Sequence, residues 1–120
     1  MTLNDLEDYR ALKQELNDIS TKTTELDRFL QNEEDPVLVK KRSAVRALYK
    51  HRLSELEDLT LTIERAIREL PSTYRVIMRL YYIDGLTWEE VADKTNYCDR
   101  QLRRIRDKAL DKMSLNVLPK

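Results

Sequence analysis

The chain has 120 residues and a formal net charge of zero, and this length suits one compact domain with an accessory element. Its single glycine, three prolines and 37% charged residues are typical of long solvated helices that bury narrow apolar stripes. The N-terminal residues form neither a basic segment nor an apolar run, and no stretch approaches the roughly 18 apolar residues that a membrane span needs. A lone cysteine, Cys98, and a lone histidine, His51, exclude an intramolecular disulfide and leave little for a metal site. These observations predict a cytoplasmic, all-α protein without a cofactor.

Charge is distributed unevenly along the chain. Residues 1–35 carry 4 basic and 10 acidic side chains, whereas residues 36–54, here called the basic segment, carry 6 basic and no acidic ones. Residues 55–70 are net acidic, with 2 basic and 5 acidic side chains, and residues 71–120 are net basic, with 10 and 7. A phosphate backbone responds to the local field, so a neutral total does not exclude a nucleic-acid partner.

Two long helices are predicted for residues 1–70. The first apolar stripe alternates steps of three and four, the heptad pattern of a helix that packs along one side. It consists of Tyr9, Leu12, Leu16, Ile19, Thr23, Leu26 and Leu30. The acidic run before Pro36 ends this helix, because the residue preceding a proline is disfavoured in the α region. The second stripe consists of Val45, Tyr49, Arg52, Leu56, Leu59, Ile63, Ala66 and Leu70, with one charged member. Two stripes joined by a short connection predict an antiparallel, coiled-coil-like helical hairpin.

The basic segment has two interpretations. In an antiparallel hairpin, the acidic end of the first helix would face Lys40, Lys41, Arg42 and Arg46. The alternative is a second contact with a DNA backbone. We favour pairing, although exposed ion pairs contribute only about 0–1 kcal/mol each. Four apolar residues lie outside the two stripes: Leu38, Leu48, Leu53 and Ile67. They favour dimerisation, or docking onto the C-terminal region, over a simple spacer arm.

Residues 71–114 carry the signals of a helix-turn-helix domain, with residues 115–120 as a tail. Pro71 suits the first turn of a helix that runs to Asp84, and Gly85 suits the left-handed residue after its end. Thr87 and Glu90 predict a capping box at the start of a short helix that ends near Thr95-Asn96. A last helix is predicted from about residue 99 to residue 113. Its inward-facing positions are Leu102, Ile105, Ala109 and Met113.

The spacing of three residues strengthens this prediction. A helix-turn-helix needs a small residue where its helices cross, a positive-φ residue in the turn and an apolar residue that locks the second helix. Ala92, Asn96 and Leu102 occupy those places.

With this pattern in place, residues 70–113 resemble region 4 of bacterial sigma factors. The matching pieces are Leu70-Pro71, Tyr82-Ile83-Asp84-Gly85, Thr87-Trp88-Glu89-Glu90-Val91-Ala92, and Arg103-Arg104-Ile105 leading to Lys108-Ala109-Leu110. Within that group the chain looks most like phage regulators of the ArpU type, which pair such a domain with an N-terminal helical segment. The resemblance implies control of late-gene transcription in phages and prophages of Gram-positive hosts. Asn96 replaces the family's usual turn glycine, and Cys98 replaces its usual N-cap serine, which weakens the cap.

The residues expected to contact DNA lie on the last helix and at the start of the helix before it. The N-terminal turns of the second helix of a helix-turn-helix meet base edges, so Arg100, Gln101 and Arg104 are the predicted base readers. Arg103 and Lys108 are better placed for phosphates. Thr87 and Trp88 are predicted to offer free backbone N–H groups to a phosphate. The Trp88 ring could stack or donate its indole N–H to a phosphate, and it could equally be half-buried packing.

The predicted function is therefore DNA binding without catalysis. No phosphate-binding loop, Ser/His/Asp arrangement or carboxylate cluster suggests an enzyme. The leading interpretation is a phage-type transcriptional regulator that binds double-stranded DNA as a homodimer, with host RNA polymerase as a further expected contact. The alternative is a small terminase subunit that recognises packaging sites, and a third interpretation is a protein-binding adaptor. A ring-forming stoichiometry would favour packaging, and a dimer on a palindromic site would favour regulation.

Overall fold

The computed structural model describes residues 1–115 and shows six α-helices and no strand in that range. The helices are α1 (Leu3–Glu7), α2 (Tyr9–Asn32), α3 (Pro36–Arg68), α4 (Ser72–Met78), α5 (Trp88–Thr95) and α6 (Asp99–Lys112). A π-helical turn, Arg79–Ile83, continues α4. Within the same residues, none of the helices combines the length and the apolar composition needed to cross a bilayer. The all-α prediction is confirmed, whereas the predicted tail lies almost wholly outside the described residues.

Residues 11–60 form one compact unit, an antiparallel hairpin of α2 and α3. The connection between the helices is three residues long, and the Asp35 carboxylate caps α3 by accepting the Val37 N–H at 2.9 Å. The Arg52 guanidinium donates two hydrogen bonds to the Glu15 carboxylate, at 2.7 and 2.9 Å. These bonds hold the pKa of Glu15 below its usual value, against the opposing effect of desolvation. Arg52, the one charged residue of the second apolar stripe, is therefore paired with an acidic residue within the hairpin.

The basic segment also pairs with α2, which corresponds to the predicted first long helix, at two further positions. Arg46 donates to the Asp27 carboxylate, and the Arg42 guanidinium lies 3.9 Å from the centre of the Phe29 ring. Lys40 and Lys41 are exposed. The structure thus supports intramolecular pairing for the arginines of the segment, while its lysines face solvent.

The second compact unit combines Met1–Arg10 with the chain from Leu61 onward. Leu6 of α1 is fully buried in it, and Tyr9 is 4% exposed and donates its hydroxyl to the Glu64 carboxylate. Ile63 and Ile67 at the end of α3, and Leu70 just after it, belong to the buried residues of this unit, together with side chains of α4, α5 and α6. The core of this unit thus draws on both ends of the chain.

The unit boundaries differ from the predicted division at residue 70. The sequence prediction places residues 1–70 in the hairpin, whereas the first ten residues and the end of α3 pack with the helix-turn-helix. Heptad spacing reports that a residue is buried but not which element covers it, and this is the physical reason for the difference. The assignment of an oligomerisation arm and a DNA-binding domain stays a prediction.

Candidate nucleic-acid interface

The first helix of the helix-turn-helix, α5, begins with a capping box at the predicted residues. The Glu90 N–H donates to Thr87 Oγ1 at 3.2 Å, and the Thr87 N–H donates to Glu90 Oε1 at 3.1 Å. The α4 helix ends just before it in a π-helical turn, in which the Asp84 N–H donates to the Arg79 carbonyl at 2.9 Å. Gly85 follows with φ of +76°, as predicted for a left-handed residue at a helix end.

The turn between α5 and α6 has the geometry that the sequence predicts. Asn96 lies in the left-handed region, with φ of 61° and ψ of 16°, and its N–H donates to the Ala92 carbonyl at 2.9 Å. Below the turn, Val91 is fully buried, and Leu102 and Ile77 are each 1% exposed. This cluster fixes α6 against α5 and α4, so the outer face of α6 has a defined direction.

The N-terminus of α6 is capped by a side chain that was predicted to read bases. Cys98 and Gln101 form the capping box of α6, in which the Cys98 thiol is a weaker acceptor than the usual serine hydroxyl. In the same box, Gln101 Oε1 accepts the Cys98 N–H at 3.0 Å. Bidentate reading of adenine uses both the oxygen and the nitrogen of a glutamine amide. Gln101 therefore has to release Cys98 before it can contact a base in that way.

The outer face of α6 brings together the predicted cations. Leu102, Ala109 and Leu110 are buried, and Leu110 is a core residue that the sequence analysis missed. The predicted site residues on the opposite face are all exposed: Arg100, Gln101, Arg103, Arg104 and Lys108. The Arg103 guanidinium lies 2.9 Å from the Asp99 carboxylate, both being well exposed, so solvent weakens this pair and DNA can compete for the arginine.

The aromatic residues beside α5 pack against one another. The Trp88 ring stacks on the Tyr81 ring, with 3.9 Å between ring centres and 12° between planes. Tyr81 meets Tyr82 edge-on, and burial raises the pKa of the Tyr82 hydroxyl to about 12. Trp88 is half-buried, so the packing interpretation of its ring is confirmed.

One detail of the predicted phosphate site is wrong. The sequence analysis expects a free backbone N–H at Thr87, whereas that N–H donates to the Glu90 carboxylate. A capping box satisfies the N-cap N–H by definition, and so the same motif excludes a free donor at this residue. A contact between DNA and Thr87 or Trp88 stays a prediction.

Two arginines near this helix start escaped the sequence analysis. A cleft of about 770 Å³ beside Thr87 and Trp88 is lined by Arg10, from the start of α2, and by Arg106 of α6. The Arg10 guanidinium lies against Gly85, so close that a Cβ there would overlap it. No local signal marks Arg10, because the contact joins residues far apart in the chain. Arg106 follows the buried Leu102 by one helical turn, a spacing that could have indicated an inward position.

The comparison with protein families is consistent with this geometry. Residues 60–97, about a third of the chain, match the family model described as sigma-70, region 4. No curated protein and no solved structure shows significant similarity to the chain. The match spans the end of α3, α4, α5 and the turn, and it supports DNA binding through these elements. The chain therefore has a helix-turn-helix whose first helix and turn are similar to sigma-70 region 4.

Proposed function

We propose that the protein is a sequence-specific, DNA-binding transcriptional regulator of phage or prophage late genes. It acts by binding rather than by catalysis, in the cytoplasm of the bacterial host, where its target DNA lies. The observation that carries the proposal is the exposed face of α6, which holds Arg100, Arg103 and Arg104 on a helix fixed by the buried cluster of Ile77, Val91 and Leu102. The family match supports the DNA-binding part, and the ArpU-type resemblance supports the phage part.

In this proposal α6 enters the major groove. Arg100 and Arg104 read guanine O6 and N7, and Gln101 reads adenine after releasing the Cys98 N–H. Arg103 and Lys108 contact phosphates, which fix the register of the helix but carry no sequence information. Trp88 lies at the start of α5, where a helix N-terminus favours an anion.

We further propose that the protein works as a homodimer and contacts host RNA polymerase. A dimer on a palindromic site doubles the contacts that one short helix can make, and half-sites then lie about one helical turn of DNA apart. The contact with the polymerase is supported by the resemblance to sigma factors alone.

The test begins by mapping binding sites of the full-length protein across its own genome. Sites in promoter regions support regulation, and sites confined to a packaging locus would indicate a terminase subunit. If no DNA is bound at all, the proposal is wrong and a protein-binding adaptor is the better interpretation.

The second step asks whether α6 reads bases. Arg104→Ala should weaken binding to a mapped site by about 1–3 kcal/mol and relax the preference at one base pair, because a bidentate contact is lost. Arg28→Ala, an exposed arginine of α2, is the matched control and should leave the preference unchanged. Equal weakening on mapped and random DNA would instead make Arg104 a phosphate contact.

A further inference from the structure

The cleft beside the start of α5 brings two arginines from opposite ends of the chain together. Arg10 comes from the start of α2 and Arg106 from α6, and both line the cleft with Thr87 and Trp88. All four residues belong to the same compact unit. The proposed DNA contacts lie on α6 and at the start of α5, and they include neither arginine.

The Arg10 guanidinium is held in place without an acidic partner. The side chain is exposed, and its guanidinium occupies the space that a Cβ of Gly85 would fill. Within residues 1–115 it forms no ion pair, although the Glu7 carboxylate lines the same cleft. Arg106 differs, because its guanidinium donates to the adjacent Asp107 carboxylate at 3.1 and 3.3 Å. Arg10 therefore keeps N–H donors for an anion from outside the chain, and its charge is permanent.

A row of guanidiniums leads from the outer face of α6 to this cleft. Arg103 and Arg106 are three residues apart, so they are neighbours along one side of the helix. The Arg103 side chain is 73% exposed and the Arg106 side chain is 31% exposed. The row thus passes from the proposed phosphate contact at Arg103 into the cleft, where Arg10 follows.

We propose that Arg10 binds a phosphate of the DNA backbone when α6 lies in the major groove. This inference rests on the proposed function and extends its interface to the N-terminal segment. In helix-turn-helix proteins the second helix enters the major groove while the first helix crosses the backbone. The first helix is α5, and Arg10 lies beside its start. A guanidinium suits this place, because two of its N–H groups can donate to the oxygens of one phosphate.

In this arrangement Arg10 takes the part that the sequence analysis gave to the Thr87 N–H. That N–H donates to the Glu90 carboxylate and is not free for a phosphate. A phosphate contact carries no sequence information but fixes the position of the protein on the duplex. Arg10 should therefore add affinity on every DNA sequence and leave the base preference to α6.

The experiment is fluorescence anisotropy of the full-length chain with a mapped site and with random DNA, over a range of salt concentrations. Arg10→Met removes the charge, so the slope of log affinity against log salt should become shallower by about 0.9 on both DNAs. Between about 50 and 200 mM salt, the variant should thus lose roughly 3.5-fold less affinity than the wild type. Arg28→Met, an exposed arginine of α2 outside the cleft, is the matched control and should keep the wild-type slope.

Arg10→Lys separates the charge of Arg10 from its packing on Gly85. The lysine keeps the positive charge, so its salt slope should stay near that of the wild type. Circular dichroism checks that both variants of Arg10 are folded. An unchanged slope in Arg10→Met, or an equal loss of slope in Arg10→Lys, would overturn the proposal.

A second measurement leaves Arg10 in place. Glu7 is exposed and lines the cleft, so its carboxylate repels a phosphate bound there. Glu7→Gln should raise the affinity for DNA about two-fold at low salt, and added salt should screen this gain. Glu25→Gln is the matched control, because Glu25 is an exposed acidic residue of α2 outside the cleft. Equal effects of the two substitutions would show that the cleft does not face DNA, and the proposal would be wrong.

The same data separate this inference from the proposed function. A wild type that binds the mapped site, with a salt slope that Arg10→Met does not change, contradicts the phosphate contact alone. A wild type that binds no DNA contradicts the proposed function, and the inference fails with it.

Discussion

The substitution Leu6→Ala should destabilise the helix-turn-helix, although Leu6 lies about 80 residues away from it in the sequence. Leu6 is fully buried in the unit that contains α4, α5 and α6. Replacing a buried leucine by alanine removes apolar contacts and leaves a cavity, at a cost of about 2–5 kcal/mol. At about 4 °C per kcal/mol for a chain of this size, such a loss lowers Tm by roughly 8–20 °C. We therefore expect the fold of the unit that contains the helix-turn-helix to depend on the first helix of the chain.

Thermal unfolding followed by circular dichroism measures the loss, and native-state hydrogen exchange locates it. Amides of α4 and α6 should exchange faster in the variant, because the unit opens cooperatively. Leu48→Ala is the control, since that side chain is 71% exposed and should change Tm by little. An unchanged Tm, or faster exchange confined to α1, would refute the reasoning and show that the helix-turn-helix folds independently of the N-terminus.

Three other substitutions test local features of the same unit. Gly85→Ala should cost about 1–2 kcal/mol, because its φ of +76° is strained for a residue with a Cβ, whereas the flexible Arg10 side chain can move aside. Chemical denaturation measures this cost, and a value near zero would contradict the geometry. Cys98→Ser should stabilise the protein by about 0.5–1 kcal/mol in the same assay, because a serine hydroxyl is a stronger acceptor than the thiol at the N-cap of α6. No gain would show that the Gln101 half of the capping box already suffices. Burial raises the pKa of Tyr82 to about 12, so the folded state keeps a proton that the unfolded state loses near pH 10. This group alone should lower the free energy of unfolding by about 1 kcal/mol between pH 9 and pH 11. Tyr82→Phe should reduce this fall, and an identical pH dependence would argue against the buried phenol.

Local signals predicted much of this fold. The capping box of Thr87 and Glu90 and the left-handed residues Gly85 and Asn96 lie where the sequence indicated. Each depends on residues within one turn of one another, and backbone chemistry decides such features without help from the rest of the chain. The hairpin was predictable for a related reason, because its heptad spacing and the short connection after Asn32 leave antiparallel packing as the simplest arrangement.

Several features that the sequence did not reveal involve distant residues. The spacing of Tyr9 fits the first position of the hairpin stripe. In the structure Tyr9 instead belongs to the other unit, where its hydroxyl donates a hydrogen bond to the Glu64 carboxylate. Leu6 lies in a five-residue helix, too short to show a period. Ile67 appeared as an apolar residue without a partner and is 2% exposed in the core. Spacing identifies the buried face of a helix, whereas the identity of the covering element depends on the whole chain.

The extent of the family match limits what it says about DNA sequence. The matched residues end at 97, before the cap of α6 and before every predicted base reader. The match therefore bears on how the domain presents a helix to DNA, through α5, the turn and the core beneath them. In our proposal the bases are read by Arg100, Gln101 and Arg104, all of which lie outside the match. The two arginines are exposed, and the glutamine is engaged in capping. The target site consequently has to be found by binding experiments with this protein, and substitutions on α6 should alter specificity without altering the fold.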